Sequence, residues 1–149
     1  MPSVVLDIEI VGDRNRAMEI LRNMWNYQRL QGCHLDDVDL ASVPFAVGTV
    51  KYVCLRGNDL VRPWNVFKEK FPELIYLDCR RNIHLNFDTG NHPDITVLQN
   101  LERIHVDVHL LQNRASVIKE MFPCLEYING KWYSAHTAEH RNHGADAVQ

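Results

Sequence analysis

A twelve-residue segment of this chain occurs twice. Val66-Phe67-Lys68-Glu69-Lys70-Phe71-Pro72-Glu73-Leu74-Ile75-Tyr76-Leu77 returns 51 positions later as Val117-Ile118-Lys119-Glu120-Met121-Phe122-Pro123-Cys124-Leu125-Glu126-Tyr127-Ile128, with seven identities. A match of that quality inside 149 residues points to a copied structural unit, and copied units stack side by side rather than closing a single core. The offset is too long for one common helical or leucine-rich unit. It divides naturally into two.

Each copy ends in a leucine, two residues and a second aliphatic, so the wider pattern is Φ-x-x-Φ-x-Φ-x-x-N-x-Φ, where Φ is apolar. Val50-x-x-Val53-x-Leu55-x-x-Asn58-x-Leu60 fits at every position, and Leu74-x-x-Leu77-x-Cys79-x-x-Asn82 keeps the asparagine. Leu30-x-x-Cys33-x-Leu35 and Leu101-x-x-Ile104-x-Val106 keep the apolar ladder without it; Leu125-x-x-Ile128 and Val5-x-x-Ile8-x-Ile10 are a truncated last and a weaker first segment. Starts at 5, 30, 50, 74, 101 and 125 give intervals of 25, 20, 24, 27 and 24. Leucine-rich repeats run at roughly 20–29 residues. Over residues 4–133 the chain resembles a small leucine-rich repeat protein. That resemblance implies an α/β solenoid of five to six repeats, with a curved parallel sheet on the concave side and helices and irregular turns on the convex side. Residues 1–133 would form this domain and 134–149 a flexible polar tail.

Alternate side chains of a short strand point inward, which explains the leucine, isoleucine, valine and small cysteine ladders. Asparagine satisfies backbone groups where the strand turns away. Between ladders, Ala17, Ile20, Leu21, Met24 and Trp25 fall at helical spacing from Arg14 to Tyr27, with Asp13 as N-cap. Pro63 opens a helix through Phe71 that Pro72 stops, and Asn113 caps Arg114 to Phe122. Around Pro44 to Gly48 only an irregular or 3₁₀ crossing is expected.

From Asn113 to Trp132, and above all Val117 to Gly130, the chain resembles the C-terminal cap of the phosphatase-regulator, spliceosomal A-prime and nuclear mRNA export receptor class of leucine-rich repeats. Asn129 stands where that class has aspartate. Val117, Met121 and Phe122 would then cover the edge of the last layer.

No run of about 18 apolar residues exists to span a membrane, so no membrane partner is expected. The start Met1-Pro2-Ser3-Val4 lacks the basic and apolar regions of a secretory signal. Cys33, Cys54, Cys79 and Cys124 form no CxxC pair, which favours a reduced intracellular setting, nucleus or cytoplasm. A net charge of −3 argues against general polyanion binding by the whole molecule.

The one segment with catalytic spacing is His136-Thr137-Ala138-Glu139-His140, in the order of inverted zinc proteases. Such a site needs a third ligand far downstream, and only nine residues without a glutamate follow His140. It reads as chance histidines in a tail, with a zinc hydrolase as the remote alternative. His105 and His109 are also four apart, but on a strand and its turn. No cofactor, metal or catalytic residue is expected, and no enzyme.

Function is therefore sought on the surface. Residues between ladder positions face outward on the sheet, and they read Asp7, Glu9, then Gly32, His34, Asp36 and Asp37, an acidic start. The later strands bring Tyr52, Cys54, Arg56, Tyr76, Asp78, Arg80, Arg81, Arg103, His105, Asp107, Tyr127, Asn129 and Lys131. Tyrosine and arginine are enriched at interface hot spots. Tyr52, Arg56, Tyr76, Arg80, Arg81, Arg103, His105 and Tyr127 are the expected partner-binding residues of a non-enzymatic module that grips an acidic helix or loop of a protein. Truncating Tyr76 or Arg80 is expected to spare folding. The competing reading is a solvated face in which Asp78 and Asp107 neutralise Arg80 and Arg103 across strands. An RNA-associated adaptor is the alternative function, because the same side chains stack on bases and hold phosphate, and because two of the resembling classes act in RNA processing or export.

Overall fold

The computed structural model describes residues 7–23, 27–44, 50–88, 96–112 and 114–132. Met24, Trp25, most of the Pro44 to Gly48 crossing, Asn113 and the tail 134–149 with its HTAEH segment lie outside them. Strand β1 (Asp7–Val11) leads through helix α1 (Arg14–Asn23) to β2 (Tyr27–Gln31) and α2 (Asp37–Ala41). Strand β3 (Tyr52–Cys54), helix α3 (Trp64–Lys70), strand β4 (Tyr76–Asp78) and strand β5 (Arg103–His105) follow. A 3₁₀ turn at Val108–Leu111, helix α4 (Ala115–Met121), β6 (Tyr127–Ile128) and β7 (Lys131–Trp132) end the described chain. The fold is mixed α/β. Among the described residues the seven strands lie in one sheet in sequence order, β1 to β6 parallel and β7 antiparallel to β6.

The two copies of the duplicated segment adopt one local structure. In each a short helix ends at a phenylalanine whose N–H donates to the carbonyl four residues back, Phe71 to Phe67 and Phe122 to Ile118. The following proline cannot donate to the helix and starts the chain toward a strand. Leu74 and Leu125 then donate to those phenylalanine carbonyls.

Strand period decides which face is buried. Val53, Leu77 and Ile104 are paired in register and all buried, and they continue below the strands into Leu55, Cys79 and Val106. Against this layer pack Trp64, Phe67, Phe71, Phe87 and Phe122, with Trp64 stacked on Phe87 at 5.1 Å and edge-on to Phe122 at 5.9 Å. The Trp64 indole N–H reaches the Asn86 carbonyl at 2.6 Å, so its polar atom enters the core with a partner. Ile118, Met121 and Phe122 of the α4 segment are buried and Val117 is half-buried.

Buried asparagines join successive strands. Asn58 accepts from the N–H groups of Cys33 (3.0 Å) and Leu35 (3.1 Å) and donates to the carbonyls of Leu30 (2.6 Å) and Leu55 (3.0 Å). Asn82 does the same one strand later, accepting from Leu60 N–H (3.0 Å) and donating to Leu55 (3.0 Å) and Cys79 (2.8 Å). These bonds correct the second ladder. Tyr27 pairs with Tyr52, which makes Leu30 the counterpart of Leu55, five residues off the position expected for it. Corrected, the second segment starts at 25 and Cys33 stands where Asn58 and Asn82 do. Its thiol supplies the donor, reaching the carbonyls of Gln31 (3.3 Å) and Ile10 (3.6 Å). One S–H replaces part of an amide, which is why the pattern survives without asparagine there.

Helix boundaries also differ from expectation. Asp13 caps α1 by accepting from Arg16 N–H at 3.0 Å, but the helix stops at Asn23 and Tyr27 already belongs to β2. Pairing with β1 and β3 outweighs the helical spacing there. In the second interval, where only an irregular or 3₁₀ crossing was expected, the five-residue shift leaves room and a one-turn helix forms. Asp36 and Asp39 make a reciprocal capping box that starts α2, and Arg14 grips the Asp39 carboxylate, holding it below the usual carboxylate range. Among the described residues no helix is long and apolar enough to cross a membrane.

Candidate interaction face

The outward face of the sheet carries three rows. Strand register aligns Tyr52, Tyr76, Arg103 and Tyr127 in one row, continued by Trp132 through the antiparallel pairing of β6 and β7. Parallel strands lie about 4.8 Å apart, so side chains along a row touch. The Tyr52 and Tyr76 rings are 6.3 Å apart, the Arg103 guanidinium lies 4.6 Å from the centre of the Tyr127 ring, and Trp132 meets Tyr127 edge-on at 5.4 Å. Cation–π and edge contacts of this kind order exposed rings without burying them.

A second row runs Arg29, Cys54, Asp78 and His105. Gln31, Arg56 and Arg80 form the third: the N–H groups of Gly12, Gly32 and Gly57 donate in turn to their carbonyls at 2.9, 2.9 and 3.0 Å. Arg81 lies one residue past the third row, in the turn beyond the C-terminal end of the central strand β4.

The arginines are not equivalent. Asp78 was expected to face solvent, yet it is only 2 % exposed. Arg80 folds back over it with Nε at 3.0 Å from Oδ1 and a terminal nitrogen at 2.7 Å from Oδ2, and the Arg80 N–H donates to Oδ1 at 3.1 Å. That bidentate grip raises the Arg80 guanidinium further above its ordinary value. Arg80 is therefore committed to neutralising a buried carboxylate, and the expectation that its truncation spares folding is corrected. Asp107 does not face Arg103; its carboxylate accepts the Arg81 N–H at 3.1 and 3.0 Å. Among the described residues Arg56, Arg81 and Arg103 form no ion pair. Of the two pairings in the solvated-face reading only Asp78 with Arg80 forms, and it is buried and within one chain segment rather than solvated and across strands.

His105 sits half-buried beside Tyr76, ring centres 5.4 Å apart. Burial depresses its pKa, the guanidiniums of Arg80, Arg56 and Arg103 add to the fall, and Asp78 opposes it. Its Nδ1 is buried with no hydrogen-bond partner in the described structure. Cys54 lies in the same row with its thiol pushed up by burial. Two strand spacings, roughly 10 Å, separate it from His105, beyond the reach of a nucleophile–base hydrogen bond. Among the described residues no group of histidines, cysteines and carboxylates is placed to hold a metal ion.

The expected acidic start is also revised. Once the second ladder shifts by five residues, β2 presents Arg29 and Gln31, and Gln31 bonds the Glu9 carboxylate at 2.9 Å. Asp36 caps α2 and Asp37 accepts from the N–H groups of Val61 and Arg62, so neither acid lies on the sheet. Trp132 belongs to the face and was missed. Asn129 and Gly130 have φ of 52° and 78°, the pair of positive values a two-residue hairpin requires, and Asn-Gly is its strongest sequence signal. Asn129 also accepts the Val106 N–H at 2.9 Å.

A scan against models of known protein families finds no match, and a comparison with curated proteins finds none either.

Proposed function

We propose that this chain is a small leucine-rich repeat protein and a non-enzymatic interaction module, whose concave sheet face grips an acidic segment of a partner protein. The observation that carries this reading is the in-register row Tyr52, Tyr76, Arg103, Tyr127 and Trp132, bordered by the guanidinium of Arg56, which forms no ion pair among the described residues. Rigid aromatic rings supply contact area at little cost in side-chain entropy, and an unpaired guanidinium fits a carboxylate bidentately. The stacked asparagines Asn58 and Asn82 and the layer-by-layer burial of Val53, Leu77 and Ile104 support the repeat reading.

The test is capture of partners on the immobilised full chain, comparing wild type with Tyr52→Ala and Arg103→Ala, each at two salt concentrations. A protein partner anchored by tyrosine is lost with Tyr52→Ala and weakens moderately with salt. Steep, uniform salt sensitivity of an RNA-containing catch would replace this reading with the nucleic-acid one.

A further inference from the structure

Four turn positions after the first four strands share one backbone conformation. Gly12, Gly32 and Gly57 have φ of 70°, 59° and 68°, and the fourth is Arg81 at 62°. The left-handed region is open to glycine and unfavourable for any residue with a Cβ. Where the three glycines donate to a backbone carbonyl of the next strand, the Arg81 N–H donates to the Asp107 carboxylate. A special acceptor thus holds an arginine in a conformation that its three counterparts fill with glycine. The Arg81 side chain is exposed and forms no ion pair or hydrogen bond among the described residues, so only the backbone bond to Asp107, and no polar contact of the guanidinium, offsets the strain. Retained strain of this kind argues for a use at the surface.

The neighbours indicate what that use is. Ile83, two residues on, is 82 % exposed, and Val108, directly after Asp107, is 73 % exposed. Arg81 also follows Arg80, so this turn adjoins the third row of the outward face. We infer that Arg81, Ile83 and Val108 extend the interaction face past the C-terminal ends of β4 and β5 and select a peptide segment that carries carboxylates interspersed with large apolar side chains, with Arg81 as the specificity-determining residue. The inference rests on the interaction-face reading and names the chemistry of the partner that face would take. Arg81 takes a carboxylate, and Ile83 and Val108 are covered by the apolar side chains next to it.

The test exploits two effects of opposite sign. Arg81→Gly relieves the backbone and removes the guanidinium, so the melting temperature of the full chain rises by a few degrees while ligand affinity falls. The probes are short labelled synthetic peptides that intersperse Glu with Leu and Phe, Glu with Ser, or Lys with Leu, followed by fluorescence anisotropy. Wild type is expected to prefer the Glu/Leu/Phe peptide, and Arg81→Gly to weaken it about tenfold, the size of one lost charge-assisted contact. Ile83→Ser is expected to weaken that peptide and leave the Glu/Ser peptide unchanged. Unaltered affinity in Arg81→Gly, a lowered melting temperature, or failure of wild type to prefer the acidic apolar peptide overturns the inference. So does a dimer that Ile83→Ser converts to monomer, since the patch would then contact a second copy. Loss of the peptide in a Tyr52→Ala/Arg103→Ala variant but not in Arg81→Gly would sink the extension and keep the face. The reverse result would sink the face reading itself.

Discussion

Arg80→Ala is expected to destabilise the fold although Arg80 reaches the surface. The carboxylate of Asp78 is almost wholly buried and accepts two side-chain bonds from Arg80, at 3.0 and 2.7 Å. Deleting one partner of a fully buried pair costs about 3–5 kcal/mol, because a charge is left unpaired in a poorly solvated site. Here the Arg80 side chain is 35 % exposed, so water enters the vacated space and the backbone bond from residue 80 persists. A cost of about 2–3 kcal/mol follows from discounting that range for the exposed member. For a domain of this size it lowers the melting temperature by roughly 4–12 °C. Urea unfolding followed by Trp fluorescence and circular dichroism reads the loss directly. Combining Arg80→Ala with Asp78→Ala removes the orphaned charge, so the double variant should recover more than half of it. A single variant within about 0.5 kcal/mol of wild type, or strict additivity in the double, would refute the buried-pair reasoning.

Three further outcomes are expected. Asn58→Ala removes four buried hydrogen bonds across two strands and should cost about 3–4 kcal/mol in urea unfolding, since orphaned buried groups cost 1–3 kcal/mol each. Asn129→Ala loses both the residue suited to φ of 52° and the bond to Val106 N–H, for about 1–2 kcal/mol, with a change in Trp132 emission as the hairpin loosens. His105 is held below its ordinary value of 6.5, so between the folded and unfolded values the unfolded chain binds more protons. Stability therefore falls as pH drops below about 6.5, and His105→Gln should flatten that part of the stability–pH curve measured by denaturant titration.

The parts of this architecture that depend on local pattern were legible in the sequence. Duplication located α3 with β4 and α4 with β6, and period-two alternation found Val53, Leu77 and Ile104 on the buried face and the tyrosines on the other. The second ladder was misplaced because leucine at 30 and cysteine at 33 fit the pattern in the wrong frame. The tripeptides Ile10-Val11-Gly12, Leu30-Gln31-Gly32 and Leu55-Arg56-Gly57 carried the true frame, since a left-handed turn fixes glycine more strictly than a core fixes leucine. Asn129-Gly130 marked a hairpin and Asp36 with Asp39 a capping box, both short signals overlooked beside the long one. Burial of Asp78 was not legible. It follows from Arg80 folding back over its own strand, a side-chain choice that spacing does not encode.

The most direct test of the proposed binding face is partner capture with variants placed on its two opposite sides. Full chains carrying Tyr52→Ala with Arg103→Ala on the outward sheet face, or Lys68→Ala with Lys119→Ala on helices α3 and α4, would be compared with wild type at equal folded concentration. All four side chains are solvent-exposed, so folding should survive in each. Loss of partner affinity by about 2 kcal/mol or more in the sheet-face variant, with a change of a few tenths in the helix variant, is the expected result. Retention of the partner by the sheet-face variant together with its loss from the helix variant would contradict the proposal and move the binding surface to the helical side.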